Sequence, residues 1–169
     1  DNGTQSTAAK EIYEAGMREK KTSVYEGGHR VPFFLRWPNG ELQHGEDIAE
    51  LVQVQALLPT LIELCELKSI ESPLPFDGTS LAGLLTGEAT ELPDRKLVVQ
   101  YQSSGEPWDP AVVMWNEWRL LRPKKGRNPQ PPNAPLELYN VSEDPGQTND
   151  VLAQNPEVAN AMKAHYEEW

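Results

Sequence analysis

Apolar residues follow two different periods along this chain, and the change from one to the other falls at about Leu92. Before it, Val54, Leu57, Leu58, Leu61, Ile62 and Cys65 stand at i, i+3, i+4, i+7, i+8 and i+11. That spacing draws one apolar stripe along a helix and predicts Cys65 as a packed core residue. Pro59 is expected either to start the regular helix or to kink it. Phe33 to Trp37 is an apolar run bounded by Pro32 and Pro38, which predicts a buried strand closed by the turn chemistry of Pro38-Asn39-Gly40. Thr7 to Arg18 suits a short helix or an irregular loop. Pro73 to Pro75 reads as a rigid connector, and Leu84-Leu85-Thr86-Gly87 as a short helix with Ser or Thr near its start and glycine at its end.

After Leu92 the runs are short and rich in β-branched and aromatic residues. Leu97 to Tyr101, Ala111 to Trp115, Trp118 to Leu121 and Leu136 to Tyr139 predict four strands. Asn116-Glu117 is the expected tight turn between the second and third. Asn155-Pro156-Glu157 opens a last helix with a cap and a proline in the first turn. Val158, Met162, His165 and Trp169 are its expected apolar side. A helix laid across one face of four antiparallel strands buries a continuous core.

Composition narrows the partners. With 169 residues, 38% hydrophobic and 24% charged, the chain is long enough for a real core. Fifteen basic against 26 acidic residues leave a net charge of −11, which argues against nucleic acid or an anionic membrane held by a broad basic field. An anionic substrate must then be held by a local cluster of positive groups. No apolar run approaches a membrane span. The single cysteine, Cys65, excludes an internal disulfide and a cysteine-rich metal site. Sequons at Asn2 and Asn140 matter only on a eukaryotic secretory route.

Candidate chemistry lies in two places. Lys20 to Pro32 sets Lys21, Glu26, His29 and Arg30 around Gly27-Gly28. Glycines there permit positive φ and close backbone approach, and the polar groups suit a charged ligand, although an ordinary solvated loop before a strand has the same composition. Asp1-Asn2-Gly3-Thr4 is a turn by composition. Its carboxylate and amide oxygens are also donors for a hard cation such as Ca²⁺ or Mg²⁺. The basic loop from Pro123 to Pro135, with Lys124, Lys125 and Arg127, reads as solvated.

The pattern Lys-x-x-x-Tyr-Glu-Gly-Gly-x-Arg-x-Pro from Lys21 to Pro32, followed by an apolar run ending in Trp37-Pro38, resembles the sulfatase family. Asp1-Asn2-Gly3 ahead of it fits in order and spacing. Pro59-Thr60-Leu61 resembles a further segment, with Ala56 where the family has aspartate. So do Asp77-Gly78-Thr79-Ser80-Leu81 and the ending at Asp144-Pro145, with Gln147 where glutamate is usual.

The resemblance implies an α/β fold, the C-terminal part of an alkaline-phosphatase-like sandwich over residues 1–92. A small four-stranded antiparallel subdomain with a terminal helix would follow over 93–169. It implies that Lys21 is the catalytic, sulfate-binding lysine and that Asp1 and Asn2 are ligands of a divalent cation, Ca²⁺ by type; His29 and Arg30 flank the same loop, and either could line the pocket, with His29 the candidate substrate-binding residue. The implied substrate is a sulfated small molecule or glycan, the compartment periplasmic, secreted or lysosomal, and the physical partner the remainder of the sulfatase domain. A phosphomonoester or phosphonate hydrolase of the same superfamily, or a binding module using the Pro123 to Pro135 loop, are the alternatives. Sulfatases use a formylglycine made from the Cys or Ser of a Cys/Ser-x-Pro-x-Arg motif. Cys65 lacks that proline and arginine, and Ser23 and Ser80 fail the same test, so the nucleophile is expected upstream. The expected outcome is that the purified 169-residue chain does not turn over a sulfate ester; sustained sulfate release from it would refute this.

Overall fold

A computed structural model describes residues 3–13, 15–68, 74–101, 107–108, 110–123 and 134–169. Contacts group the chain into two compact units, Asp1–Phe33 with Lys96–Trp169, and Phe34–Arg95. This grouping differs from a division between residues 92 and 93, because the segment up to Phe33 packs with the β-rich tail.

The first unit is built on an antiparallel meander of β1 (Leu97–Gln100), β2 (Ala111–Trp115), β3 (Trp118–Arg122) and β4 (Glu137–Asn140), in the order β1-β2-β3-β4. Asn116, at φ +48°, turns β2 into β3, a conformation that asparagine tolerates better than most residues. The register sets Val98, Val113, Leu120 and Leu138 in one row across the sheet. The next row carries Met114, Arg119 and Tyr139. Successive side chains of a strand point to opposite faces, so the two rows look in opposite directions. The first row faces α5 (Pro156–Glu168), where it joins Trp108, Ala111, Ala159, Met162 and Tyr166 in one core.

Two details of α5 differ from the sequence reading. The side chain of Asn155 donates to the Val151 carbonyl at 3.0 Å instead of capping the first turn. The buried side runs through Ala159, Met162 and Tyr166, while Trp169 is 69% exposed. Trp108 decides this rotation. Its ring lies 4.0 Å from that of Tyr166, and its backbone N–H donates to the Tyr166 hydroxyl at 2.8 Å. Helical periodicity along α5 has no means of registering a partner from a distant loop.

Before the sheet lie α1 (Thr7–Ile12) and α2 (Glu26–His29), both in the first unit. The second unit holds α3 (Leu57–Leu64), entered through a 3₁₀ turn at Val54–Ala56, and α4 (Ala82–Thr86). The Ser80 hydroxyl, one residue ahead of the N-cap Leu81, accepts the Ala82 N–H, and Gly87 ends α4 at φ +83°, where a side chain would be strained.

The expected apolar stripe is not the buried face of α3. Val54 is 74% exposed, and Leu58, Leu61 and Cys65 are exposed as well. Burial instead follows Ala56 and Thr60, whose hydroxyl donates to the Ala56 carbonyl and accepts from the Leu81 N–H. A stripe states only that a face can be buried, and here the local packing partner is on the opposite side. Phe33 to Trp37 is likewise neither strand nor buried, with Phe34 91% exposed. A strand requires a neighbour for its N–H and C=O groups, and among the described residues none pairs with this run. Pro73 of the Pro73 to Pro75 connector and residues 124–133 of the Pro123 to Pro135 loop lie outside the described residues.

Core substitutions should rank by these contacts. In urea unfolding of the full-length protein, Met162→Ala is expected to cost about 2–5 kcal/mol. Tyr166→Phe, which strands the buried Trp108 N–H, should cost about 1–3 kcal/mol. Equal and negligible effects would show that this side of α5 does not bear the core.

Candidate functional site

The segment from Arg18 to Arg30 folds tightly on itself and on the sheet. Its chain reverses at Thr22, φ +76°, and the Ser23 N–H closes the turn on the Lys20 carbonyl at 3.1 Å. Glu26 to His29 then form the single turn α2, where a loop was expected. Gly27 and Gly28 are not in the left-handed region. They are required by proximity. A Cβ on Gly27 would lie 2.5 Å from the carbonyl oxygens of Arg18 and Glu19, and one on Gly28 would lie 2.1 Å from that of Ser23.

The glycine pair also receives the start of the chain. The Gly3 N–H donates to the Gly28 carbonyl at 3.2 Å, and a Cβ on Gly3 would stand 1.9 Å from the Gly27 oxygen. The Lys21 N–H donates to the Thr4 carbonyl at 3.0 Å. Backbone contact therefore joins the Asp-Asn-Gly-Thr segment to the lysine turn. Lys21 itself is exposed. Asp1 and Asn2 lie outside the described residues, and among the described residues no group of three metal-ligating side chains occurs.

Beneath the lysine turn is a network that the motif alone does not announce. Glu26 is 2% exposed, and its carboxylate accepts from Arg119 Nε on β3 at 2.7 Å. Arg119 is fixed in turn, donating to the carbonyls of Asn116 and Trp118 at 2.6 and 2.9 Å. The Glu26 N–H donates to Oε1 of the fully buried Gln147 at 2.8 Å. Arg30 approaches the other carboxylate oxygen at 3.5 Å from the surface. A charge this deep is tolerable only when paired and hydrogen-bonded.

A second tie runs beside the first. Tyr25 and Tyr139 both donate to one oxygen of Glu137, at 2.6 and 2.8 Å. Arg18 stacks 3.9 Å from the Tyr25 ring centroid and donates to the Tyr139 hydroxyl and the Gln147 carbonyl. Burial, then the bond to Glu137, holds the Tyr25 phenol far above its ordinary value and pushes Tyr139 up to about 12. Both therefore stay protonated as donors.

His29 sits at the end of α2 with 13% of its side chain exposed. Its ring hydrogen-bonds the Val24 backbone, and Nε2 has no hydrogen-bond partner among the described residues, lying 3.8 Å from Glu26 Oε1. Burial lowers its pKa, with the Glu26 charge pulling the other way.

The structure thus brings the predicted Lys21 and His29 into one short turn-and-helix segment. Sequence reasoning missed Arg18, Arg119, Glu137, Tyr139 and Gln147 as its supports. One signal was available in Trp118-Arg119-Leu120-Leu121, where a charge inside an apolar strand calls for a buried partner.

Residues 14–168 match the family described as N-sulphoglucosamine sulphohydrolase, C-terminal. An N-acetylgalactosamine-6-O-sulfatase of Bacteroides thetaiotaomicron is 30% identical over 166 residues, covering 89% of this chain and 28% of that protein. A sulfatase of Formosa agariphila is 28% identical over 151 residues, covering 83% and 26%. The fold matches the crystal structure of Ps i-CgsB in complex with k-i-k-neocarrahexaose at a TM-score of 0.79 and 24% identity, over 99% of this chain and 34% of that one. The chain spans between 26% and 34% of the length of these relatives. Matched by that family over almost all of its length, with the lysine turn inside the match, the chain belongs to the sulfatases, as a C-terminal portion of the N-sulphoglucosamine sulphohydrolase kind.

Proposed function

We propose that the protein to which this chain belongs hydrolyses sulfate esters, and that Lys21 to Pro32 form one wall of the sulfate pocket. The observation that carries this reading is the backbone junction of Gly3 and Thr4 with Gly28 and Lys21. It brings Gly3 and Thr4, which directly follow Asp1-Asn2 in the sequence, against the lysine turn, and so supports a shared anion-and-cation site. A sulfated carbohydrate is the favoured substrate class, since a relative at 30% identity is an N-acetylgalactosamine-6-O-sulfatase.

The residues have separable tasks. Lys21, exposed on the turn, supplies a positive point charge to the sulfate oxygens, and such a charge stabilises the transition state most where water is excluded. It also adds to the local positive charge that an anion requires on a chain of net charge −11. His29, held neutral by burial, lines the pocket as an uncharged ring. Asp1 and Asn2 would hold the divalent cation, and the close packing of Gly3 on Gly27 leaves room for no side chain at that junction. Oxygen donors of this kind suit Ca²⁺. When bound, the cation neutralises charge on the sulfate oxygens. Cys65 is exposed at the end of α3 and lacks the neighbouring proline and arginine of the formylglycine motif. We therefore assign the nucleophile to the remainder of the sulfatase domain.

Two outcomes test this reading in the full-length enzyme. Lys21→Ala should lower kcat/KM for a sulfate ester by about 10²–10³-fold, with Lys21→Arg recovering part of the loss; an unchanged kcat/KM would remove Lys21 from the pocket. The second concerns the state of His29. Because its folded pKa lies below 6.5, the unfolded chain takes up a proton that the folded chain refuses as pH falls through that value. Stability should therefore decline on acidification in this window, and His29→Gln should flatten that part of the decline. Urea midpoints at about pH 7.5 and about pH 5.5 for both proteins measure the difference; identical slopes would show that folding does not lower the pKa of His29.

A further inference from the structure

Resting on that reading of Lys21, we infer that Arg119 and Gln147 of the C-terminal subdomain are positioning residues for the sulfate pocket. Neither stands in the pocket wall. Both act through Glu26, which follows the lysine turn and opens the helical turn ending in His29.

The geometry gives Glu26 two independent fixings. Its side chain is held by Arg119 Nε at 2.7 Å and its backbone N–H by Gln147 Oε1 at 2.8 Å. Neither partner is free to follow a moving loop. Arg119 is bound to two carbonyls of the β2–β3 hairpin, while Gln147 is fully buried, with its own carbonyl accepting from Arg18 at 2.6 Å. Arg18 lies at the start of the same loop, and its carbonyl accepts the Gly27 N–H at 2.9 Å. The loop is therefore clamped to the sheet at its beginning and at Glu26, with Lys21 on the turn between the clamps.

A carboxylate and a guanidinium buried together gain little net stability over apolar residues of the same size. Their distinctive contribution is directional. The Arg119 Nε–H fixes where Glu26 sits, and so fixes where the chain leaves the Lys20 to Ser23 turn and where α2 begins. Gln147 contributes the same placement without charge, which separates geometry from electrostatics experimentally.

The test uses the full-length enzyme, with inorganic sulfate as the probe and its Kd as the readout, below the melting temperature of each variant. Lys21→Ala serves as the reference. Arg119→Met and the charge-neutral Gln147→Leu are each expected to weaken sulfate binding by about tenfold or more, with Arg119→Lys recovering part of it. Should Arg119→Met fail to fold, Gln147→Leu carries the test alone. Lys21-dependent sulfate binding that Gln147→Leu leaves unchanged would overturn the positioning role, whether Arg119→Met acts or not, since an effect of Arg119→Met alone is one of charge. Sulfate binding that is absent from the wild type, or that Lys21→Ala leaves unchanged, would overturn the reading of Lys21 and this inference together.

Discussion

A carboxylate that is 2% exposed needs a partner before it can be folded into place, and Glu26 finds its own on a strand far along the sequence. Much of the first unit follows from that requirement. Burying the charge commits Arg119 to the face of the sheet away from α5. It forces α2 to lie close enough for a 2.7 Å contact, and it requires glycines where the loop backbone then crowds itself. Removing one side of such a pair leaves the other buried and unpaired, which typically costs about 3–5 kcal/mol. Folding of the loop and folding of the sheet are in this sense one event.

The sheet works on both faces. One row, from Val98 to Leu138, is apolar and closed by α5; the other carries Arg119 and Tyr139 and receives the lysine loop. The pleat makes this possible with no extra secondary structure, since adjacent residues such as Arg119 and Leu120 serve opposite faces. The C-terminal helix thus supports the loop at one remove. It keeps the sheet rigid, and the sheet presents a guanidinium, a carboxylate and a phenol in register. Bracing a loop with regular elements in this way is a common route to accurate geometry.

How much of this was legible in the sequence depends on what each residue's signal refers to. The four strands were readable because Val98 to Val99, Val112 to Val113 and Leu120 to Leu121 are short apolar runs whose propensity and length agree. The lysine turn was readable through its resemblance to a family motif. The face of α3 and the fate of Phe33 to Trp37 were misread because periodicity reports that a surface is apolar and says nothing of what meets it. Val54 and Leu58 satisfy the helical period as well as any core residue and are nevertheless exposed. The supports of the site were hidden for a further reason. Glu26 and Gln147 look like solvated polar residues one at a time, Arg119 signals a buried partner without saying which, and only the packing of α2 on the sheet brings the three together. The glycines were half understood, since close approach, and not positive φ, is what Gly27 and Gly28 supply.

The backbone leaves the first unit at Phe33 and returns at Lys96, so everything between is an excursion whose two ends are pinned by the same folded body. Closing such an excursion costs entropy that grows only logarithmically, by about 0.6 kcal/mol for each doubling of its length. Insertions and deletions in the exposed loops of this stretch, outside α3 and α4, therefore cost little in closure entropy, whereas a single residue added between Arg18 and Arg30, or within β3, shifts a register on which several buried bonds depend. Length variation should collect in the excursion, and the clamped loop should drift by substitution alone.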